Sequence, residues 1–551
     1  MKKALTGILI LLVVIGAAAV WKYGIAKGSG KASVAPPAGY AFASPTAAVT
    51  PPPMDGYKPA TVDLGDGPVP LITVPLDTWG YAGIFAANGG SSPSKTSEFY
   101  KRGHFAVQLV HVEDANDQLA GYAAGKYPII WAQIDSIPLL ANEFKNDKRV
   151  MPKVLGLFDW SFGGDGILVR NTIKAAKDLK GKIVLTSSNT PWAFFLLWYL
   201  SQDNLSGSDV HIVWEPDADK ALKLFKTNEI IAAWVSWSPF LADCQNPSSA
   251  SYVKDVHLLI SSKDANQLIA DDYIVRSDFA DANPKICTAF VEAIAAGADM
   301  LSPQTFADMA SFYHLPSPAA AQGLVAGVHV ANFPEALMFF DQKNEAGAAK
   351  VFRLAQEYAK ELGILSADSD FEPADFFFPD LYASIASTGM FAGQKNTVLN
   401  SFNAATKINF SDLENKEVVQ TDNIQLVFDP NEAAFDVTSS RPEFVKNMQM
   451  LDRVDEQAKF LATTAIELIG NADPSNKAIA KAQGPAAYAK AAADIQELSE
   501  QRAAFVRQLL IGHYHIPANR IIAKGVGWDN PIDPTDFAKD RRVDVKFVSM
   551  Q

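Results

Sequence analysis

Short apolar runs alternate with longer stretches of helical periodicity through the middle of this chain, from about residue 71 to residue 385. The predicted strands lie at residues 71–74, 107–110, 129–131, 167–169 and 183–185, and two of the predicted helices at 191–200 and 284–301. Strand-length runs separated by helices are typical of an α/β domain with mostly parallel sheets.

A second pattern occupies the C-terminal part of the chain. Ile495, Leu498, Phe505 and Leu509 recur at helical spacing, and Arg502 falls on the same apolar stripe. A guanidinium beside a core is costly unless carboxylates or several acceptors meet it. The apolar run 466–469 predicts a strand that ends shortly before Asp473. Two interpretations follow: Asp473 and Arg502 jointly hold a zwitterion, or Arg502 pairs with Asp473 or Asp494 to close the fold.

Three motifs in order surround these residues: Gly-Asn-Ala-Asp at 470–473, Leu-Ser-Glu-Gln-Arg-Ala at 498–503 and Asp-Arg-Arg-Val at 540–543. This order resembles the OmpA-like peptidoglycan-binding family and implies a small α+β domain over 418–551. The resemblance implies that Asp473 and Arg502 bind the diaminopimelate of the peptide stem, with Arg541 and Arg542 supporting the site. Salt-bridged packing of 540–542 stays an alternative. This chain departs from the family at Asn471 and Ala472, and carries an Ala-rich insertion at 478–493.

The N-terminal residues predict a membrane segment and a tether. Lys2 and Lys3 precede an apolar run from residue 4 to residue 20, with Trp21 and Tyr23 at its end. The length and the aromatic end favour a retained single-pass anchor at 1–27, with a cleaved signal peptide as the alternative. Residues 28–70 are rich in Gly, Ala, Ser and Pro and predict an extended tether. A linker is expected at 391–417.

The middle region carries a second, distributed resemblance. Segments 74–81, 86–90, 121–126, 165–169, 173–182 and 233–239 are similar to ABC-type nitrate, sulfonate, taurine and thiamine-precursor binding proteins. The resemblance implies a type 2 periplasmic-binding-protein fold over 71–390, in which two α/β lobes joined by two hinge strands close on a small ligand.

The resemblance and the local pattern together select residues for the ligand cleft. The loop at 186–190 follows a strand and precedes Pro191, so it presents a helix N-terminus, which suits an anion. The predicted cleft residues are Trp79, Tyr81, Asp135, Ser136, Thr186, Ser187, Ser188, Trp234 and Trp237. Core packing stays open for each tryptophan. Asp135 and Asp165 leave the charge of the ligand undecided.

Composition removes several classes of function. A net charge of −13 argues against a nucleic-acid partner. Cys244 and Cys287 lack metal-ligand spacing and are too few for a disulfide framework, although a single bridge stays open. The chain lacks the Cys-rich motif of thiamine-precursor synthases and the common hydrolase, zinc-protease and phosphate-loop motifs. We therefore expect no enzyme activity, no metal and no cofactor.

These observations predict a protein of the bacterial inner membrane, with one span and its bulk in the periplasm. The expected partners are the membrane, peptidoglycan and a small ligand, which makes the chain a wall-tethered solute-binding or sensor protein. One alternative is a structural wall-anchoring subunit of an ion-driven or envelope-spanning membrane complex. Another is the receptor of an ABC importer for a small anion or sulfonate.

Overall fold

The computed structural model describes residues 35–40, 42, 51–188, 190–398, 408–413, 418–533 and 535–550. The chain divides into two units, Met1–Phe42 and Ala43–Gln551. In the first unit the described residues form a turn in which the Tyr40 N–H donates to the Pro37 carbonyl at 3.0 Å. The predicted anchor at 1–27 lies outside the described residues.

The second unit contains two α/β lobes and a C-terminal domain. Its strands are β1 Thr61–Asp63, β2 Pro68–Leu76, β3 Ala106–His111, β4 Ile129–Gln133, β5 Pro152–Ser161, β6 Asp165–Arg170, β7 Ile183–Thr186, β8 His211–Trp214, β9 Ile231–Trp237, β10 Val256–Ser261, β11 Ala270–Arg276, β12 Val328–Val330, β13 Val418–Val427, β14 Thr464–Gly470, β15 Ile521–Gly525 and β16 Arg542–Ser549. Its helices are α1 Ala82–Asn88, α2 Glu98–Gly103, α3 Ala115–Ala123, α4 Ile137–Phe144, α5 Pro191–Gln202, α6 Ala218–Thr227, α7 Phe240–Gln245, α8 Ser277–Ala282, α9 Pro284–Gly297, α10 Pro303–Phe312, α11 Pro318–Val325, α12 Phe333–Phe339, α13 Ala348–Glu361, α14 Pro379–Ser387, α15 Phe410–Leu413, α16 Pro442–Phe460, α17 Lys477–Ala482 and α18 Pro485–Gly512.

Lobe 1 is built on two adjoining sheets, with strand orders β1-β2-β3 and β12-β5-β11-β4, and β2 lies alongside β4. Lobe 2 has one sheet of order β10-β6-β9-β7-β8. The predicted α/β pattern is therefore confirmed, but the sheets are mixed. β2/β3 and β7/β8/β9 pair in parallel, whereas β11 and β6 run antiparallel to their neighbours. These two strands are antiparallel because they carry the chain back across the lobe boundary.

Two short crossings join the lobes: residues 162–164 between β5 and β6, and residues 262–269 between β10 and β11. The buried hydroxyl of Ser262 ties them together. It lies 2.8 Å from the Ser161 hydroxyl and accepts hydrogen bonds from the Gly163 N–H at 2.9 Å and the Asp165 N–H at 3.2 Å. Gly163 has a φ of 91°, a conformation that L side chains rarely adopt. The crossings thus form one cross-linked hinge.

The tether prediction for 28–70 is wrong for the residues from about Met54 onward. Tyr57 packs edge-on against Phe279 at 4.9 Å between ring centres. The buried guanidinium of Arg276 donates to the Asp55 carbonyl at 2.6 Å. A buried arginine needs acceptors for its donors, and this stretch supplies one. The composition is that of a linker, but a few anchoring residues fix it to lobe 1.

The aromatic run at 376–378 packs on lobe 1. Phe376 and Phe377 are buried, and the Val154 N–H donates to the Phe376 carbonyl at 2.8 Å, so the run packs on β5 of lobe 1. Contacts with lobe 1 continue past residue 390, because the Val398 N–H donates to Glu335 at 3.3 Å. Residues 399–407 and 414–417 of the expected linker lie outside the described residues.

The C-terminal domain is a four-stranded sheet of order β13-β16-β14-β15. Helices α16 and α18 pack against this sheet. β14 pairs with β15 in parallel, and the other pairs are antiparallel. The predicted strand at 466–469 and the predicted helix around Arg502 are therefore confirmed. The Ala-rich insertion is helical: it forms α17 and the first turns of α18.

The C-terminal domain also contacts the binding lobes, mainly through α16. Arg453 donates to the Gln202 carbonyl at 2.6 Å and to Asn204 Oδ1 at 2.8 Å, both at the end of α5 in lobe 2. Glu456 pairs with Lys350 of α13 at 2.5 Å. Just beyond α16, the Thr463 hydroxyl donates to the Lys263 carbonyl of the second crossing at 3.1 Å.

Among the residues that the structure describes, no helix is both long and apolar enough to cross a membrane. Cys244 lies in α7 of lobe 2 and Cys287 in α9 of lobe 1, and both are buried free thiols. The single bridge that the sequence left open is therefore not formed. Burial raises the pKa of the Cys244 thiol to about 11 and that of Cys287 to about 12, so both are protonated and unreactive at neutral pH.

Candidate functional site

The strand ends of the two lobes meet on either side of the hinge. In open α/β sheets ligands bind outside the carboxyl ends of the strands, where the chain leaves for its next helix. In lobe 1 the polar residues at this edge follow β2 and β4 or lie in the hinge-side halves of β5 and β11. In lobe 2 they lie at the start of β6 and follow β7 and β9.

Asp77, Trp79 and Tyr81 follow β2, as predicted for two of them. The Tyr81 hydroxyl donates to Asp77 at 2.5 Å, and the Tyr81 ring is buried 5.2 Å from Phe158. Tyr81 therefore positions Asp77 and does not itself face open space. The Trp79 ring reaches the hinge: a Cβ on Gly164 would fall 2.9 Å from Cη2 of Trp79, so only glycine fits at 164.

Three more carboxylates lie at the same edge of lobe 1. Asp135 follows β4, and its neighbour Ser136 donates to the Gln133 carbonyl at 2.7 Å. Asp271 of β11 pairs in register with both Gln133 and Asp159. Asp135, Asp159 and Asp271 are all buried. These oxygens (both of Asp159, and Oδ1 of Asp135 and of Asp271) make no hydrogen bond of regular geometry, but Asp159 lies close enough to Asp271 and to the Trp79 indole N–H to interact with both.

Lobe 2 contributes one carboxylate and two stacked indoles. Asp165 begins β6 and pairs in register with Trp237 of β9. Trp192, in the first turn of α5, donates to Asp165 Oδ1 at 2.7 Å. Its ring stacks on Trp237 with 4.6 Å between centres and 3° between planes. The prediction placed Trp237 in the cleft, and the structure adds Trp192 as its partner.

The loop after β7 provides hydroxyls. Thr186 is 1% exposed, and its hydroxyl has no partner. The Ser187 hydroxyl donates weakly to the Ser188 carbonyl at 3.3 Å, and the Thr190 hydroxyl donates to the Ser187 carbonyl at 2.9 Å. Thr190 precedes α5 without capping it through its side chain.

Trp234 lies apart from this group. It is buried on the opposite face of β9, 5.9 Å from Phe225 and 6.0 Å from Phe240 between ring centres. Successive side chains of a strand point to opposite faces. Trp234 and Trp237 are three residues apart, so they lie on opposite faces of β9. This placement favours the core-packing interpretation for Trp234.

Burial changes the acidity of the whole group. It raises the pKa of Asp77 to about 6 and that of Asp135 and Asp271 to about 7, and it raises the pKa of Asp159 and Asp165 as well. The neighbouring carboxylates add to the effect: the charge of Asp165 raises the pKa of Asp135 further. The site therefore holds several carboxyl groups without a compensating cation.

Helix α13 covers one side of this region. A small cavity of about 30 Å³ is lined by residues from both lobes and from α13, among them Asp135, Ser136, Thr190 and Tyr358. The Tyr358 hydroxyl donates to Ser201 of lobe 2 at 3.0 Å. Within the described ranges, no group of three His, Cys, Asp or Glu side chains is placed to hold a metal ion.

The residues predicted to bind peptidoglycan separate into two sets. Asp473 and Arg541 are partly exposed, with side chains 18% and 19% accessible, and Asp473 Oδ2 lies 3.5 Å from Arg541 Nη1. Asp473 also accepts from the N–H and the hydroxyl of Ser475. Arg541 donates to the Phe428 carbonyl at 3.2 Å. This pair presents opposite charges side by side at the surface.

Arg502 and Arg542 form the second set, and both are buried. Arg502 is 0% exposed and uses its three nitrogens on the carbonyls of Glu432, Asn471 and Asp429, at 2.8, 2.9 and 3.1 Å. The predicted ion pair with Asp473 or Asp494 is thus replaced by backbone acceptors. Arg542 donates to Asp544 at 2.8 Å and to the Asn530 carbonyl at 3.2 Å.

Comparison with known proteins locates a family match in the middle of the chain. Residues 94–304 match the family model described as NMT1/THI5 like, which spans less than half of the chain. No curated protein gives a significant match.

Several solved structures resemble the lobes. The periplasmic aliphatic sulphonate binding protein SsuA from Escherichia coli is 17% identical, with 57% of this chain and 99% of that chain covered and a TM-score of 0.43. The periplasmic nitrate-binding protein NrtA from Synechocystis PCC 6803 is 14% identical, with 59% and 90% covered and a TM-score of 0.40. The desulfurization enzyme DSZB is 16% identical, with 58% and 99% covered and a TM-score of 0.38. Similarities of this size do not assign an activity, and they include an enzyme as well as binding proteins.

The strand orders, the two crossings and the family match together support a periplasmic-binding-protein-like α/β fold for the middle of the chain.

Replacing Asp135 with asparagine should stabilise the protein at pH 8. The carboxyl titrates near pH 4 in the unfolded chain and at about 7 when folded, so folding costs free energy that grows as pH rises from 4 to 7 and is constant above that. Asparagine does not ionise. We expect Asp135→Asn to raise Tm by about 2–5 °C at pH 8 and by almost nothing at pH 4, as measured by scanning calorimetry.

The control is Asp147, whose pKa is lowered by its hydrogen bond with the Arg149 guanidinium, 2.7 Å away. This shift has the opposite sign, so its stabilisation is present at neutral pH and lost in acid. Asp147→Asn should therefore leave Tm unchanged or lower it at pH 8. Equal behaviour of the two variants would contradict the assignment of an uncompensated charge to Asp135.

Arg502→Lys should destabilise the C-terminal domain by about 3 kcal/mol, because one ammonium cannot satisfy three diverging buried carbonyls. The measurement is the calorimetric transition of that domain. The control is Arg507→Lys on the same helix, where a partly exposed guanidinium donates to two carbonyls. The loss of unfolding free energy in Arg507→Lys should stay below about 1 kcal/mol. Equal losses at the two positions would mean that the buried carbonyls do not depend on Arg502.

Proposed function

We propose that this chain is a periplasmic solute-binding protein that closes on a small molecule at the hinge. The observation that carries this proposal is the set of buried polar groups without partners at the facing strand ends of both lobes, including Asp135 and Thr186. Buried polar atoms in folded proteins are almost always satisfied. A ligand that enters between the lobes supplies the missing partners.

The hinge favours closure as the binding movement. Two short crossings and a few residues around Ser262 join the lobes, which is the arrangement of a hinge in which few backbone angles change. Binding shifts such an equilibrium only by the difference between the ligand's affinities for the two states. Groups from both lobes must therefore contact the ligand, and Asp135 on one side and Asp165 with Trp192 on the other meet this condition.

The purified full-length chain tests this proposal. A binding solute should change tryptophan fluorescence, because Trp79, Trp192 and Trp237 surround the site, and should reduce the radius of gyration in X-ray scattering. Trp237→Ala removes the stacked indole and should weaken binding at least tenfold. The control, Ile230→Ala, changes an exposed apolar residue of the same lobe and should have no effect. Binding without any change in scattering would contradict hinge closure.

We further propose that the C-terminal domain binds peptidoglycan and that the N-terminal segment holds the chain at the inner membrane. Support for wall binding comes from the Asp473–Arg541 pair. A zwitterionic amino acid such as diaminopimelate can offer its ammonium to Asp473 and its carboxylate to Arg541. Burial lowers the pKa of Arg502 only to about 10, so Arg502 stays cationic beneath the pair. In this proposal Arg541 makes the contact and Arg502 positions the loops around it.

Co-sedimentation with purified sacculi tests wall binding. Asp473→Ala and Arg541→Ala should each reduce the bound fraction at least fivefold, and free diaminopimelate should compete with the sacculi. The control Lys446→Ala removes an exposed charge from α16 of the same domain. If both site variants sediment with the sacculi as the wild type does, the Asp473–Arg541 pair is not the wall contact.

A further inference from the structure

We propose that the cleft selects a small organic cation that carries N–H donors, such as an amine, amidine or guanidine. This inference rests on the proposed solute binding and names the charge of the solute. It differs from the anion that the helix N-terminus at Pro191 suggests from sequence alone.

The first observation is the sign of the charge around the hinge. Asp77, Asp135, Asp159 and Asp271 approach from lobe 1, and Asp165 from lobe 2. In the described part of the chain, no lysine or arginine forms an ion pair with any of these five carboxylates, although ion pairs are frequent elsewhere on the protein. Each of these groups that is ionised repels an anion at low dielectric, whereas a bound cation favours the ionised form. A bound cation would supply the compensating positive charge.

The hydrogen-bond inventory specifies the ligand further. A carboxylate is an acceptor, and Oδ1 of Asp135 accepts no hydrogen bond, while Asp159 and Asp271 have only each other and the Trp79 indole N–H within reach. These atoms need donors. An N–H-bearing cation brings charge and donors together, whereas a quaternary ammonium brings charge alone.

Lobe 2 provides two further observations, an unpartnered hydroxyl and a pair of stacked indoles. The Thr186 hydroxyl lies at the carboxyl end of β7, is 1% exposed and has no partner. The Trp192–Trp237 stack ends in a partly exposed indole beside Asp165. The face of an indole attracts cations through its quadrupole. A flat cation that lies on Trp237 is within the reach of the carboxylate next to it.

The spacing of the acidic groups argues for an organic cation and against a metal ion. A metal needs several oxygen ligands converging within about 2.6 Å of one point. No such convergence of three side chains exists among the described residues. The five carboxylates are distributed over the ends of five strands, which suits a molecule with donors at separate positions.

Matched probes test the inference on the full-length chain by calorimetry at pH 7.5. Benzamidine, benzamide and benzoate share one shape and differ in charge. Agmatine and butanesulfonate form a second pair, and nitrate, Ca²⁺ and Zn²⁺ complete the set. We expect benzamidine and agmatine to bind at least tenfold more tightly than their neutral or anionic counterparts.

Variants connect that preference to the site. Asp271→Asn should weaken cation binding at least tenfold and leave the affinity for benzamide unchanged. The control is Asp203→Asn: Asp203 is also buried, but it lies in lobe 2 after α5 and accepts from the Lys177 N–H at 2.9 Å. The Asp203→Asn variant should bind the cations with the affinity of the wild type.

The outcomes separate the two proposals. Tighter binding of benzoate, butanesulfonate or nitrate would overturn the charge inference and leave solute binding in place, and so would binding of a divalent metal alone. Binding by none of the probes, together with no small molecule released from the denatured protein, would overturn solute binding itself. A released molecule would decide the charge directly, since an anion would overturn the inference and an N–H cation would support it.

Discussion

One hydroxyl group holds the hinge of this protein together. Ser262 lies in the second crossing and binds Ser161, Gly163 and Asp165 of the first. A buried hydroxyl with several partners is worth more than the sum of isolated hydrogen bonds, because removing it leaves backbone donors unsatisfied. The bond to the Asp165 N–H also fixes where β6 begins. The position of the Asp165 carboxylate, and with it the indole of Trp192, depends on this contact.

The cleft around that hinge is expensive to maintain. Five carboxyl groups are withdrawn from water with little compensation, and burial raises the pKa of each. Natural sequences tolerate such local conflict mainly where function requires it. Burial of the large apolar cores of both lobes offsets this cost in the free energy of folding. It also means that occupancy by a partner of suitable charge stabilises the folded chain.

The sequence predicted the architecture well and the site in part. Apolar runs at 107–110 and 183–185 became strands, of which only the second is buried on both faces, and the stripe around Arg502 became a helix. The antiparallel strands β6 and β11 could not be anticipated from local pattern, since their direction follows from long-range crossings.

Among the residues that the structure places at the hinge-side strand ends, the sequence pattern named Trp237 and Asp135 but not Asp77, Asp159, Asp271 or Trp192. The signal available for Asp271 was a pair of acidic residues within the apolar stretch 268–275. Its meaning depends on the neighbouring strands, because only pairing with Gln133 and Asp159 brings it to the cleft. Similarly, the composition of 51–60 indicates a linker, and only the buried guanidinium of Arg276 explains why it is held.

The contacts of α16 with the lobes have a mechanical consequence. Arg453 holds the end of α5 in lobe 2, Glu456 holds α13, and Thr463 holds the backbone of the second crossing. Helix α16 and Thr463 together contact lobe 2, α13 and the second crossing. A change in the angle between the lobes must therefore strain or break at least one of these contacts. A pulling force applied to the C-terminal domain would reach the lobes and the hinge through contacts that include these three, so load and lobe angle are coupled in this chain.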